Sequence, residues 1–278
     1  MLSARSYRYT VMRRMTQISV MGLFAGGSLW GWKVLHGNLS TSRLLDRITI
    51  TDPYAALQIL FTGYLLPMEA LLGAAVVTLF FAALGGRMFC GWVCPVNVVT
   101  DLANWLGKRL GTATFSERIR PGRSARYWIL AASLVLSALL GVAAFEWISP
   151  ISLLHRGLIF GMGTGWTAVL GLFLFDFIVA RNGFCGHLCP LGAFYGIIGG
   201  RGIIRVYHNR DKCTMCMKCL ETCSERQVLP MVGKKSAFVL QAECTNCARC
   251  IEVCSDGAME FHTRFYNENV NGKEDNHA

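Results

Sequence analysis

Eight of the twelve cysteines fall into two identical runs, Cys213, Cys216, Cys219, Cys223 and Cys244, Cys247, Cys250, Cys254. Both read C-x2-C-x2-C-x3-C, the bacterial ferredoxin spacing for 4Fe–4S clusters. A tight loop can aim three thiolates at one cubane, while the fourth cysteine, on the short helix that follows, points at the other. The expected ligand sets are therefore crossed: Cys213, Cys216, Cys219 and Cys254 for one cluster, Cys244, Cys247, Cys250 and Cys223 for its neighbour. Zinc sites usually separate their C-x2-C pairs by a longer insert, and a reducing compartment disfavours disulfides. Ser224 and Ser255 replace the proline that normally follows the fourth cysteine, which leaves the ligands intact.

The other four cysteines lie in two C-G-x-x-C-P elements, Cys90 to Pro95 and Cys185 to Pro190. At i, i+4 spacing the two thiols of a pair can share a helix face, and the proline then ends or bends the element. Two readings of Cys90, Cys94, Cys185 and Cys189 stay open. They are structural or docking thiols, or they form a third redox element, whether a metal, a cluster or a dithiol pair. Heme is disfavoured, because no C-x-x-C-H occurs and no histidine falls in the middle of an apolar stretch.

These groups must be positioned by apolar helices. Charged residues make up only 16% of the 278, hydrophobic residues 53%, and an average soluble domain carries about 25% charged. Stretches 15–34, 65–84, 127–148 and 158–180 are each read as able to span a bilayer. Arg5, Arg8, Arg13 and Arg14 precede the first, six lysines and arginines from Lys108 to Arg126 separate the second and third, and Arg181 to Lys212 follow the fourth. The bias puts both termini, and all twelve cysteines, on the cytoplasmic side of a bacterial inner membrane. The net charge of +10 is thus a topology signal, and nucleic acid is not expected as a partner. Arg13-Arg14 ahead of an apolar run is read as a retained first helix. Each half runs helix, outer loop, helix, cysteine element, which makes a parallel repeat.

The fold class expected is an α-helical membrane protein, four transmembrane helices in two helix-pair repeats, with a C-terminal α+β two-cluster ferredoxin domain. The divisions are 1–203 for the membrane domain, 204–264 for the ferredoxin domain and 265–278 for a disordered polar tail.

This combination of motifs resembles the NapH family, the ferredoxin-type quinol dehydrogenase subunit of periplasmic nitrate reductase systems. The resemblance covers nearly the whole chain, including Gly37-Asn38-Leu39-Ser40 and Thr51-Asp52-Pro53-Tyr54. It implies a subunit without a stand-alone catalytic domain that takes electrons from menaquinol or ubiquinol. It implies further that they pass, with a second iron–sulfur protein, to the periplasmic nitrate reductase. Membrane halves of nitrous oxide reductase accessory and cytochrome oxidase assembly proteins are similar. A redox assembly factor, a redox sensor and a donor to a different reductase are the alternatives. Ionisable groups near apolar spans are functional candidates by default. Glu69, Asp176 and His155 are the quinol-site candidates, and Glu146 lies near the outer end of the third stretch.

Overall fold

The computed structural model describes residues 7–32, 35–45, 47–85, 87–111, 122, 124–160, 163 and 165–265. The expected tail, from residue 266 onward, lies outside them, as do Arg5, Arg118, Arg120 and Arg123 of the topology argument.

The chain opens on helix α1 (Arg8–Leu29) and an antiparallel meander of β1 (Leu35–Gly37), β2 (Thr41–Leu44) and β3 (Ile48–Thr51). Asp52 then caps α2 (Pro53–Phe61), its carboxylate accepting from the Ala55 amide at 3.1 Å with proline at the first helical position. Helices α3 (Met68–Leu84), α4 (Met88–Trp92) and α5 (Val96–Arg109) complete the first half. The second half comprises α6 (Ala125–Leu140), α7 (Ala144–Ile148), α8 (Pro150–Phe160) and α9 (Gly165–Leu174), then two wider π-type turns (Phe175–Val179, Phe184–Leu188) and α10 (Pro190–Gly199). The last part holds the sheet β5-β4-β6, from β4 (Ile204–His208), β5 (Ala237–Phe238) and β6 (Met259–Thr263), with short helices α11 (Lys218–Thr222) and α12 (Arg249–Glu252).

The expectation of four continuous spans is corrected here: among the described residues no helix is long and apolar enough to cross a membrane. The first stretch folds as a helix carrying Arg8, Arg13 and Arg14. The second and third are helices of 17 and 16 residues, and the fourth is a 10-residue helix continued by a π-type turn. Gly141, at φ 66°, ends α6 seven residues before the expected boundary at 148. A left-handed residue just past the last turn is a common helix stop.

Helix α2, within the expected outer loop between the first two stretches, packs inward. Tyr54, Ala55, Ala56 and Gln58 are buried, and the Gln58 side chain accepts from the Phe145 amide at 2.9 Å. The helix after each cysteine element crosses to the other half. Helix α5 packs on α9 and the first π-type turn, and α10 packs on α3 and α6. One continuous apolar core results, holding Tyr54, Phe89, Cys94, Cys189, Leu191 and Tyr195.

Strand β3 lies so close to α3 that a Cβ on Gly73 would fall 2.0 Å from the Thr49 carbonyl oxygen, which is backbone and cannot swing away. Gly73→Ala should therefore cost about 1–3 kcal/mol, read as a clear fall in the thermal unfolding midpoint. Gly171→Ala on α9, where nothing lies within 4 Å, should leave the midpoint unchanged or slightly raised.

Candidate functional site

Cys213, Cys216, Cys219 and Cys254 line one pocket, and Cys223, Cys244, Cys247 and Cys250 line a second. The two loops share one backbone path. Met215 and Met217 in the first, Asn246 and Ala248 in the second, all have φ between 47° and 60° at matching positions. Such left-handed residues are unusual outside glycine, and their recurrence shows two copies of one thiol-presenting loop. Burial, with Cys247 nearby, pushes the Cys223 thiol up to about 12, and burial pushes Cys244 up to about 11. Thiols of that kind are neither acids nor nucleophiles at neutral pH, but a metal would deprotonate them outright. The donor set therefore fits iron–sulfur clusters.

The four remaining cysteines also converge. Cys90 and Cys94 from the end of α4, and Cys185 and Cys189 from the second π-type turn, line a single cavity. The glycine in each C-G-x-x-C-P element is where the ferredoxin part seats. A Cβ on Gly91 would come 3.0 Å from the Thr245 carbonyl oxygen, and one on Gly186 would come 2.8 Å from a Glu225 carboxylate oxygen. Trp92 donates its indole N–H to the Asn246 carbonyl at 3.0 Å, and the Arg87 amide donates to the Cys244 carbonyl at 3.0 Å. The second cysteine run is thus docked on the first cysteine element.

Charge ties the same junction. Asp101 on α5 accepts from Arg14 and from Arg249, which lies inside the second run, with Arg13 at 3.8 Å. Arg126 on α6 meets Glu243 at 2.6 Å, and Arg87 meets Glu225 at 3.4 Å. Ser224, Glu225, Thr245, Cys247 and Arg249 border both the four-thiol cavity and the second ferredoxin pocket.

The structure does not gather the three quinol-site candidates. Glu69 is exposed in the first turn of α3. Asp176 is buried and accepts from the Phe184 amide at 3.0 Å, bracing the second cysteine turn. His155 is buried edge-on against Phe24, ring centres 4.8 Å apart. A different pair meets instead. Asp52 and Glu146 line a small pocket with Tyr54, Phe89 and Phe145. Asp52 also accepts from the Tyr195 hydroxyl at 2.9 Å, and Glu146 accepts from Ser40 and, at 2.6 Å, from Ser152. Burial raises the Asp52 carboxyl to about 6, against the lowering effect of the Tyr195 hydrogen bond. Ile151 and Leu191 border both this pocket and the four-thiol cavity. In the sequence Asp52 stands in the Thr51-Asp52-Pro53-Tyr54 stretch of the resemblance, and its contact with Tyr195, far along the chain, leaves no local signal.

Fold and thiol geometry define a ferredoxin-type iron–sulfur protein of electron transport. The family described as "4Fe-4S binding domain" matches residues 66–112 and again 158–206, and "4Fe-4S dicluster domain" matches 205–255. The chain is 45% identical over 235 residues to the ferredoxin-type protein NapH of Escherichia coli, covering 84% of this chain and 81% of that one. Identity to NapH of Haemophilus influenzae is 44% over 264 residues, 93% and 91% of the two chains. Identity to the methylamine utilization ferredoxin-type protein MauN of Methylorubrum extorquens is 44% over 242 residues, 86% and 83%. The chain belongs to this NapH and MauN family of ferredoxin-type proteins. No solved structure matches it.

His155 supplies a pH test of the packing. Burial, then the nearby Arg156 charge, lowers it to about 4, below the ordinary value of about 6.5. At this site the unfolded chain then binds more protons between those values, so the His155 contribution to stability rises with pH from about 4 to about 6.5, opposite in sign to that of Asp52, whose carboxyl is raised. The difference in unfolding stability between the native chain and His155→Leu, measured across that window, should therefore change in favour of the native chain as pH rises and level off above about 6.5.

Proposed function

We propose that the chain is a membrane-embedded quinol dehydrogenase subunit. It takes electrons from quinol and passes them to a partner iron–sulfur protein, and so toward a periplasmic reductase. The observation that carries this reading is the sequence of shared walls. The Asp52–Glu146 pocket borders the four-thiol cavity, which borders the pocket of Cys223, Cys244, Cys247 and Cys250. Oxidising a quinol releases two protons and two electrons. Asp52 and Glu146 are placed to take the protons, and a carboxyl raised to about 6 is ionised at neutral pH yet close to its titration point. Phe89 and Phe145 form part of the pocket's apolar wall. Iron–sulfur clusters, when bound, accept electrons one at a time. Cys213, Cys216, Cys219 and Cys254 would hold one, and Cys244, Cys247, Cys250 and Cys223 the other.

The membrane reading rests on the outward faces of three helices. Leu72, Val76, Leu79 and Phe80 on α3, Val135, Leu136 and Leu139 on α6, and Trp166, Leu170 and Leu174 on α9 are all exposed. So much exposed apolar surface marks a contact with lipid or protein. Short helices packed as a set, with both termini cytoplasmic in a bacterial inner membrane, replace four full spans. A second reading is carried by the 44% identity to MauN, under which the same donor serves methylamine utilization; the two differ in the acceptor, not in the quinol step.

Mixing the anaerobic, detergent-solubilised protein with menaquinol or ubiquinol analogues should bleach the cluster absorption rapidly. Clusters indifferent to both quinols would remove the reading. Asp52→Asn keeps a cap and an acceptor for Tyr195 while losing the proton acceptor. It should slow bleaching by roughly 100-fold without changing iron content. The native rate should fall as pH drops through about 6, where Asp52 becomes protonated.

Ligation has its own test. Cys223→Ala should abolish the EPR signal of the cluster held by Cys244, Cys247 and Cys250 and spare that of Cys213, Cys216 and Cys219. Loss confined to the latter would refute the crossed sets.

A further inference from the structure

Helix α5 turns one face inward, burying Val96, Thr100, Ala103 and Gly107. On the opposite face Val98, Leu102 and Trp105 are all exposed. These three line an open cleft of about 790 Å³ that also takes in the start of α1 and the helix α12. A helix face turned to water ordinarily carries polar residues, so this stripe calls for an apolar neighbour.

The rest of the cleft is cationic. Arg13, Arg14 and Arg249 converge on the single carboxylate of Asp101. One negative charge does not match three positive ones. Arg13, 1% exposed, keeps its Nε and Nη1 without a hydrogen-bond partner among the described residues. Lys108 and Arg181 stand in the same wall, and its other carboxylate, Glu252, accepts from the Thr10 amide and hydroxyl, both at 2.6 Å. Partial burial, then the Arg181 and Arg249 charges, hold Lys108 below its ordinary pKa. Cations crowded this closely attract an anion, and a guanidinium fork suits the paired oxygens of a phosphate. A free phosphate would leave the apolar stripe bare, and a lipid without net charge would leave the cations unmatched. An amphiphile with an anionic head uses both parts of the cleft.

We propose that this cleft binds an anionic phospholipid, its phosphate among Arg13, Arg14, Lys108 and Arg249 and its acyl chains along Val98, Leu102 and Trp105. The lipid bridges α1 and α5 to α12, which carries Arg249 and Cys250, and so fastens the ferredoxin part to the helical part. The proposal rests on the membrane reading above, which supplies the lipid.

The test is thermal unfolding of the full-length, delipidated protein in detergent, titrated with phosphatidylglycerol, phosphatidylcholine or inorganic phosphate. Phosphatidylglycerol should raise the midpoint at concentrations at least about tenfold lower than either of the others, and added salt should weaken it. Lys108→Gln, at an exposed position, should require roughly tenfold more phosphatidylglycerol for the same rise. Equal protection by phosphatidylcholine or by phosphate alone overturns the proposal, as does protection by none of them, or a Lys108→Gln chain that responds like the native one. If the variant does not fold, the comparison of the three additions decides alone. Membrane fractionation tests the membrane reading separately. A chain found with membranes that does not choose between the two lipids refutes the cleft alone. A chain found free of membranes whose cleft still prefers phosphatidylglycerol refutes the membrane reading alone.

Discussion

One buried guanidinium joins every part of this protein. The Arg87 side chain reaches the Cys185 carbonyl in the second cysteine turn and Glu225 beside the first ferredoxin run. Its backbone amide bonds the Cys244 carbonyl of the second run, and its guanidinium lies where a Cβ on Gly192 of α10 would come within 2.4 Å. Burial alone would lower its pKa, but the Glu225 carboxylate and the cysteines beside it, when they are thiolates, outweigh burial and raise it. A charge held this firmly in the interior fixes its partners by the cost of leaving it bare. The two halves and the ferredoxin part therefore meet in one register.

That register explains the glycines and the asymmetry of the repeat. Gly91 and Gly186 leave room for Thr245 and Glu225 to approach the two cysteine turns. Trp92 occupies the place that His187 has in the second copy, and it donates to the second ferredoxin loop. The first copy faces that loop, while the second copy faces Glu225 and Arg126, whose guanidinium donates to the Gly186 carbonyl at 3.2 Å. A pair of elements that began alike has been specialised by what docks on each.

The ferredoxin runs and the two cysteine elements were legible in the sequence because their information is local. Spacing alone dictates a loop, and the loops adopt matching left-handed positions at Met215 and Asn246. The helical stretches were legible too, but their lengths were not. Hydropathy reads 127–148 as continuous, while Gly141 stops α6 and α7 and α8 begin afresh. The exchange of α5 and α10 between halves was out of reach for the same reason. It rests on contacts such as Asn104 with Asn182 at 2.7 Å, which join residues far apart in the chain and leave no periodic trace. Glu146 was marked by its place at the end of an apolar stretch, but its meeting with Asp52 in one pocket belongs to this second kind of information.

The inward packing of α2 also bears on how a donor in that region would lie relative to the cysteines. If each cysteine element marked the cytoplasmic end of a span, a donor among the outer-loop residues would lie about 30 Å away, the thickness of a bilayer core. The Asp52 carboxylate, expected in that outer loop, instead accepts from Tyr195, six residues beyond Cys189, and Tyr195 stacks on Phe89 with ring centres 4.9 Å apart. Phe89 precedes Cys90 directly. The helix that returns after the second C-G-x-x-C-P element thus joins its cysteines to the carboxylate pocket. Helix α10 lies against both α3 and α6, and Pro190, at its first position, turns the chain there after the second element.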